Sequence, residues 1–320
     1  MKAAVYTRYR SPDELQLQDV EKPTPKENEV LIKVCAACIN SWDWDLLVGS
    51  NFLVRLLGGM FKPKNKILGC DVAGIVESVG SKVTQFQSGD EVFGDLSGDR
   101  FGCFAEYVCG REKHLAKKPL NLSFEEACTI PQAGLLALQG LRLGGLKSGM
   151  SVLINGAGGG VGMFAIQLAK SYSAEITAVD RNEKFEMMRS LGAHHTIDYR
   201  KENFTKNGKQ YDLILDNIAT HSLFACRRSL ATGGNYVMTG GKTSIIFQMV
   251  FLGKLLSKGS KRIRLVGLQY SPKDLAYMAD RVTSGKLKPI IDKSFPLSQT
   301  AEAFRHFGKG DYNGKVVIRV

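Results

Sequence analysis

Residues 152–170 read VLINGAGGGVGMFAIQLAK, and the fold turns on how this stretch divides. Val152, Leu153 and Ile154 form a short apolar run of the kind buried in a parallel sheet. NGAGGGVG then breaks any regular element and reads as a tight turn. Beyond it, VGMFAIQLAKSY carries apolar residues at helical spacing. A buried strand, a glycine turn and an immediate helix let the backbone approach a pyrophosphate and aim a helix N-terminus at it. Gly156, Gly159 and Gly162 are spaced G-x-x-G-x-x-G, and Ala157 falls where the commoner G-x-G-x-x-G pattern has its first glycine. A lone glycine motif is weak, and the bland alternative is a plain glycine-rich turn. Here EITAVD, Glu175 to Asp180, adds a second strand with an acid at its end. The expected pyrophosphate-binding residues are therefore Gly156, Ala157, Gly159, Gly160, Val161 and Gly162.

Working outward, NEKFEMMRSLG reads as a helix ended by Gly192, and HTIDY, YDLILD and NYVMTG as further strands, with KRIRLVGLQ the last. Strands alternating with helices predict a doubly wound parallel sheet over 123–268, opened by a helix that Ser123 caps. The residues before it are mainly strand-like: EVLIKVCAACIN, DVAGIVESVG, DEVFGD and AEYVCG predict a small barrel or sandwich over 1–122. After a helix from Pro272 to Ser284, the closing strand GKVVIRV predicts that 269–320 return to the first domain.

A chain of 320 residues suits two such domains. The formal charge of +12 attracts polyanions in general, but no helix-turn-helix or zinc-finger pattern points to nucleic acid. The longest apolar run, Ser244 to Leu256, has 13 residues and includes Lys254. A bilayer span needs about 20. The N-terminus lacks a signal-peptide core, and seven scattered cysteines suit a reducing compartment. The expected location is the cytoplasm.

Asp180 is placed to bind the adenosine ribose of NAD and to repel the 2′-phosphate of NADP. Arg181 and Lys184 follow and can pair a phosphate, or they are solvated charges at a helix start.

Taken with MKAAVYTRY, INSWDWDLLVG, LGCDVAGIVESVG, GDEVFG, IPQAGLLALQGL, LGAHHTIDY and GKVVIRV, these motifs cover nearly the whole chain. Together the chain resembles the zinc-independent quinone oxidoreductases, relatives of zeta-crystallin, in the medium-chain dehydrogenase/reductase superfamily. The resemblance implies a GroES-like β-barrel domain plus a Rossmann domain. It also implies an NAD(P)H-dependent oxidoreductase that transfers hydride to a quinone or α,β-unsaturated carbonyl. In zinc-bearing relatives one metal ligand is a Cys where this chain has Asn40. A second is a His where it has Cys70, and the third falls within PQAG, Pro131 to Gly134, which holds no Cys. Too few ligands remain, so no metal is expected. Cys35 and Cys38 have CxxC spacing, but on a strand they face opposite sides.

The same resemblance makes Asn40 and Asp43 the polar pair at the nicotinamide end. Asn40 would bond a substrate oxygen, and Asp43 would order a ribose or a water. Lys184 and Tyr199 would hold the 2′-phosphate, which slightly favours NADPH, with NADH as the alternative. For this, Asp180 must turn away or pair with Arg181. Asn217, Thr239 and Gly240 would edge the nicotinamide half. The resemblance further implies a homodimer through the sheet edge near Lys261 to Gln269. FLVRLLGGMFKPKNK (Phe52 to Lys66) and SIIFQMVFLGKLLSKGSKR (Ser244 to Arg262) would be lid or interface elements, or surfaces for peripheral contact with an anionic membrane. Two other functions fit the residues: an alcohol dehydrogenase with a degenerate zinc site, and a non-catalytic dinucleotide-binding redox sensor.

Overall fold

The computed structural model describes all residues, Met1 to Val320. Its strands run in chain order as β1 (Lys2–Val5), β2 (Gln16–Asp19), β3 (Glu29–Cys38), β4 (Asp71–Val79), β5 (Glu91–Asp95), β6 (Tyr107–Arg111) and β7 (Leu115–Lys117). Then come β8 (Ser151–Asn155), β9 (Glu175–Asp180), β10 (His195–Asp198), β11 (Tyr211–Asp216), β12 (Leu230–Met238) and β13 (Arg262–Leu265). The chain ends with β14 (Ile291–Pro296) and β15 (Lys315–Arg319). Two compact units result: 1–132 with 270–320, and 133–269.

In the first unit a mostly antiparallel sheet has the order β14-β15-β3-β4-β5-β7, with β6 also on β3. Val30, Ile32, Val34, Val72, Val92, Phe104, Phe304 and Val316 fill its core. Residues 123–132, expected to open the nucleotide domain, belong here instead. The helix Phe124–Ala127 packs on β3 and β4. The Cys128 thiol lies 3.4 Å from that of Cys38, and Gln132 N–H donates to Asp71 Oδ1 at 3.0 Å. Ser123 does cap that helix, with Glu126 returning the bond.

The second unit is a six-stranded parallel sheet in the order β10-β9-β8-β11-β12-β13. Strand order reverses between β8 and β11, which creates a crevice at their carboxyl ends. Polar residues stand there. Asn155 pairs with Asp216 across β8 and β11, and its Nδ2 donates to Asp216 Oδ1 at 2.8 Å. Tyr236 donates to the other Asp216 oxygen at 2.9 Å.

The two basic-apolar segments contain helices, Phe52–Gly58 and Thr243–Leu256. Phe52, Leu56 and Leu57 are exposed on the first, and Phe247, Val250, Phe251 and Leu255 on the second. No helix is long and apolar enough to cross a membrane.

Candidate active site

Gly156 opens the loop after β8 with φ of +72°, where a Cβ would also meet Ile218 at 2.7 Å. The helix Gly160–Lys170 follows, capped by Gly159. Gly162 lies against its own loop: a Cβ there would sit 2.4 Å from Ala157 Cα and O. Gly159 differs. Its φ is −92°, and a Cβ would meet nothing nearer than Gly156 O at 3.7 Å. Glycine at 159 is thus not required by the fold, which leaves a cradle that a side chain would fill. These features suit a dinucleotide pyrophosphate resting on backbone N–H groups. Ala157, Gly160 and Val161 lie within the same turn and first helical residues.

At the end of β9, Asp180 is buried and its carboxylate faces the loop. One oxygen accepts Gly158 N–H at 2.8 Å, the other Arg181 N–H at 2.9 Å. Its side-chain partner is Lys184, at 3.7 Å, and not the Arg181 guanidinium. Arg181 Nε instead donates to the Tyr199 hydroxyl at 3.0 Å. The expected pairing is corrected by geometry: four residues on, Lys184 folds back over Gly158, while Arg181 points to the neighbouring strand end. Lys184 is itself buried. Asn217 and Thr239 come together at the ends of β11 and β12. Asn217 Nδ2 donates to Asn155 O at 2.9 Å, and its Oδ1 accepts Thr239 Oγ1–H at 2.8 Å. Gly240 follows, half-buried.

In the first unit, adjacent strands carry polar residues into the core. Cys38 on β3 is opposite Asp71 on β4, and Asp71 is opposite Asp95 on β5. Asn40 starts the helix Ser41–Val48. Asp43 is fully buried, and its carboxylate accepts Asn40 N–H and Gly69 N–H, both at 2.9 Å. Those bonds make Asp43 a positioning residue for Asn40 and the Gly69 turn. Asn40 is also largely committed. Its Nδ2 donates to Asp71 Oδ2 at 2.9 Å and Cys70 Sγ at 3.2 Å. Its Oδ1 accepts from the Lys315 ammonium, and a second lone pair on that oxygen is all it can offer a substrate, as an acceptor.

Sequence reasoning missed Lys315, Gln132 and Asp95. Lys315 is buried at the head of β15, beside the end of β3, where Ile39 N–H donates to Val316 O at 3.0 Å. Its Nζ lies 3.5 Å from Asp71 Oδ2. Gln132, within PQAG, donates from Nε2 to Cys70 Sγ at 3.4 Å. Asp95 Oδ1 accepts Ser97 N–H at 2.7 Å, while Oδ2 makes no hydrogen bond within the usual geometry. Burial pushes Asp43 and Asp95 up to about 7, with Asp71 adding its charge to the effect on Asp95. Burial likewise drives the Cys70 thiol well above its ordinary value. Burial works against the Lys315 charge, but its neighbours, Cys38 and Asp71 first, hold it above the usual lysine value.

A parallel sheet ordered 3-2-1-4-5-6 with a glycine cradle at its switch point defines a dinucleotide-binding fold, joined here to an antiparallel unit whose apolar core encloses a polar cluster. Residues 26–120 match the alcohol dehydrogenase GroES-like domain, and 191–318 match a zinc-binding dehydrogenase domain. The chain is 38% identical to 2-methylene-furan-3-one reductase of Solanum lycopersicum, over 99% of this chain and 79% of that protein. It is 35% identical to the chloroplastic NADPH-dependent alkenal/one oxidoreductase of Arabidopsis thaliana, with the same coverage of both chains. The solved quinone oxidoreductase from Coxiella burnetii shares 30% identity with a TM-score of 0.89, covering 100% of this chain and 99% of its own. The chain belongs to the medium-chain dehydrogenase/reductase superfamily, among its quinone and alkenal/one oxidoreductases.

Proposed function

We propose that this protein is an NAD(P)H-dependent reductase of quinones or α,β-unsaturated carbonyls that works without a metal and prefers NADPH. The observation that carries the metal-free reading is the chemistry around Cys70 and Asp71. Asn40 and Cys70, at two positions that the resemblance assigns to zinc ligands, converge with Gln132 of the PQAG stretch. The side-chain amides of Asn40 and Gln132 donate to Cys70 Sγ, and the Asn40 amide and Gln132 backbone N–H donate to Asp71, where lone pairs would have to face a metal. An ammonium already supplies positive charge. These residues do not fit a resident zinc ion.

The choice of acceptor follows. Oxidising a saturated alcohol is served by a metal that stabilises its alkoxide. A conjugated carbonyl or quinone is electrophilic without one, and a bound nicotinamide supplies the hydride. The chain's own work is positioning. The loop Gly156–Gly162 offers backbone N–H groups to the pyrophosphate. Asn217, Thr239 and Gly240 border the crevice at the strand ends. Arg181 and Lys184 follow the end of β9 and Tyr199 follows the end of the adjacent β10, where a 2′-phosphate would lie. The names of the Solanum and Arabidopsis relatives support an enone as the first acceptor to try.

The purified protein is expected to hold no stoichiometric zinc and to reduce an enone with NADPH at an undiminished rate in strong chelator. Elemental analysis and steady-state assays check this. About one tightly held zinc per chain, with activity lost on its removal, would overturn the metal-free reading. Failure to oxidise bound NADPH in stopped flow with any enone or simple quinone would favour the redox-sensor alternative.

The proposal includes a homodimer through β13. That strand ends the sheet with Leu265 exposed, and an uncovered edge invites pairing. Light scattering at micromolar concentration is expected to give twice the chain mass of 35.1 kDa, and a monomeric mass would remove the dimer. All seven cysteines are free thiols, which suits a reducing compartment.

A further inference from the structure

We propose that the Lys315 ammonium is the built-in cation of the pocket formed by Cys70, Asp71 and Asp95, and that its presence keeps a divalent metal ion out. The inference rests on the metal-free reading and explains it in atoms. Cys70 Sγ and one oxygen each from Asp71 and Asp95 lie within 4.8 Å of one another, all fully buried. Metal–ligand bonds of about 2.0–2.3 Å could be closed from such a set with small movements. Asp95 Oδ2 is buried and makes no hydrogen bond within the usual geometry.

Lys315 settles which cation the pocket holds. Its side chain is 3% exposed, and a buried ammonium must be repaid by close counter-charge and hydrogen bonds. Asp71 at 3.5 Å and Asn40 Oδ1 do this. The bond to Oδ1 also sets the rotation of the Asn40 amide. With the oxygen drawn to Lys315, the NH2 group faces Cys70 and Asp71 and covers the lone pairs that a metal would need. Lys315 thus excludes a metal twice, by charge and by orienting Asn40. Without the ammonium, the amide can turn its oxygen inward as a fourth ligand, and Asp71 loses its counter-ion.

Lys315→Met removes the charge at nearly constant length, and Lys315→Leu removes both the charge and the donor to Asn40 with a shorter apolar side chain. Either variant, in the full chain, is titrated with Co2+ and followed by absorption. The expected result is a thiolate-to-cobalt charge-transfer band that saturates at one equivalent, with affinity about 10- to 100-fold above the parent's, the range for changing a residue that supports metal ligands. Lys315→Arg, which retains a cation, should show no band, and Lys315→Met with Cys70→Ser should lose it. Folding is judged by near-UV circular dichroism, so a variant that does not fold passes the test to the other. A folded Lys315→Met or Lys315→Leu that takes up no cobalt overturns the proposal while leaving the metal-free reading intact. A parent protein that binds cobalt as tightly as the variants overturns both.

Discussion

Gly159→Val is expected to fold like the parent and to lose about 100-fold or more in cofactor affinity, whereas Gly162→Val is expected not to fold. The two glycines sit three residues apart, one capping the helix and the other in its first turn, yet the structure gives them different duties. At 162 a side chain would collide with backbone atoms of Ala157 at 2.4 Å, which no rotamer change can relieve. At 159 the backbone angles are ordinary and the nearest atom is 3.7 Å away, so valine is accommodated by the protein itself. What it fills is the space into which a pyrophosphate must come close to the backbone. Losing most of that approach corresponds to about 2.7 kcal/mol for 100-fold. Calorimetric titration with NADPH, beside thermal melts of both variants, reads the outcome. Unchanged affinity in Gly159→Val would take the loop out of the cofactor site.

Lys184→Ala is expected to lower kcat/KM with NADPH by about tenfold, the lower range for a hydrogen bond to a charged group, and to leave NADH nearly unchanged. Two effects combine. The ammonium is a direct candidate partner for a 2′-phosphate, and at 3.7 Å it also compensates the Asp180 carboxylate that would repel that phosphate. Asp180→Gly should raise the ratio of NADPH to NADH use by removing a like charge. It should also weaken both cofactors, since Asp180 anchors Gly158 N–H at 2.8 Å. Rates for both cofactors with one enone acceptor, across the parent and the two variants, separate these effects. Equal losses with both cofactors in Lys184→Ala would show that Lys184 does not read the phosphate. A parent that prefers NADH by about tenfold, or 1.4 kcal/mol, would give the choice to Asp180.

Much was legible because it is local. The strand, glycine turn and helix of 152–170 are contiguous, and their conformations follow from residue type and spacing alone. The alternation of strands and helices after it carries the parallel sheet for the same reason. The capping of the helix at Phe124 by Ser123 and Glu126 was also readable from four residues. Its place in the molecule was not, because Cys128 against Cys38 and Gln132 against Asp71 join positions 90 and 61 residues apart. Asp43 lay in view as a polar residue beside Asn40, but its burial under Gly69 comes from packing between distant segments.

The sequence by itself determined the family and the run of strand, glycine turn and helix, and it put Asn40, Cys70 and PQAG at the positions that the resemblance assigns to zinc ligands. Only the tertiary structure decided which groups those substitutions face. Lys315 reaches Asn40 across 275 residues because β15 pairs with β3. Asp180 chose Lys184 over Arg181 because the helical turn after β9 folds one back over the loop and sends the other outward. Residue type sets what a side chain can donate, accept or charge. Which partner it meets, and whether water is there to compete, depends on the chain coming together in three dimensions.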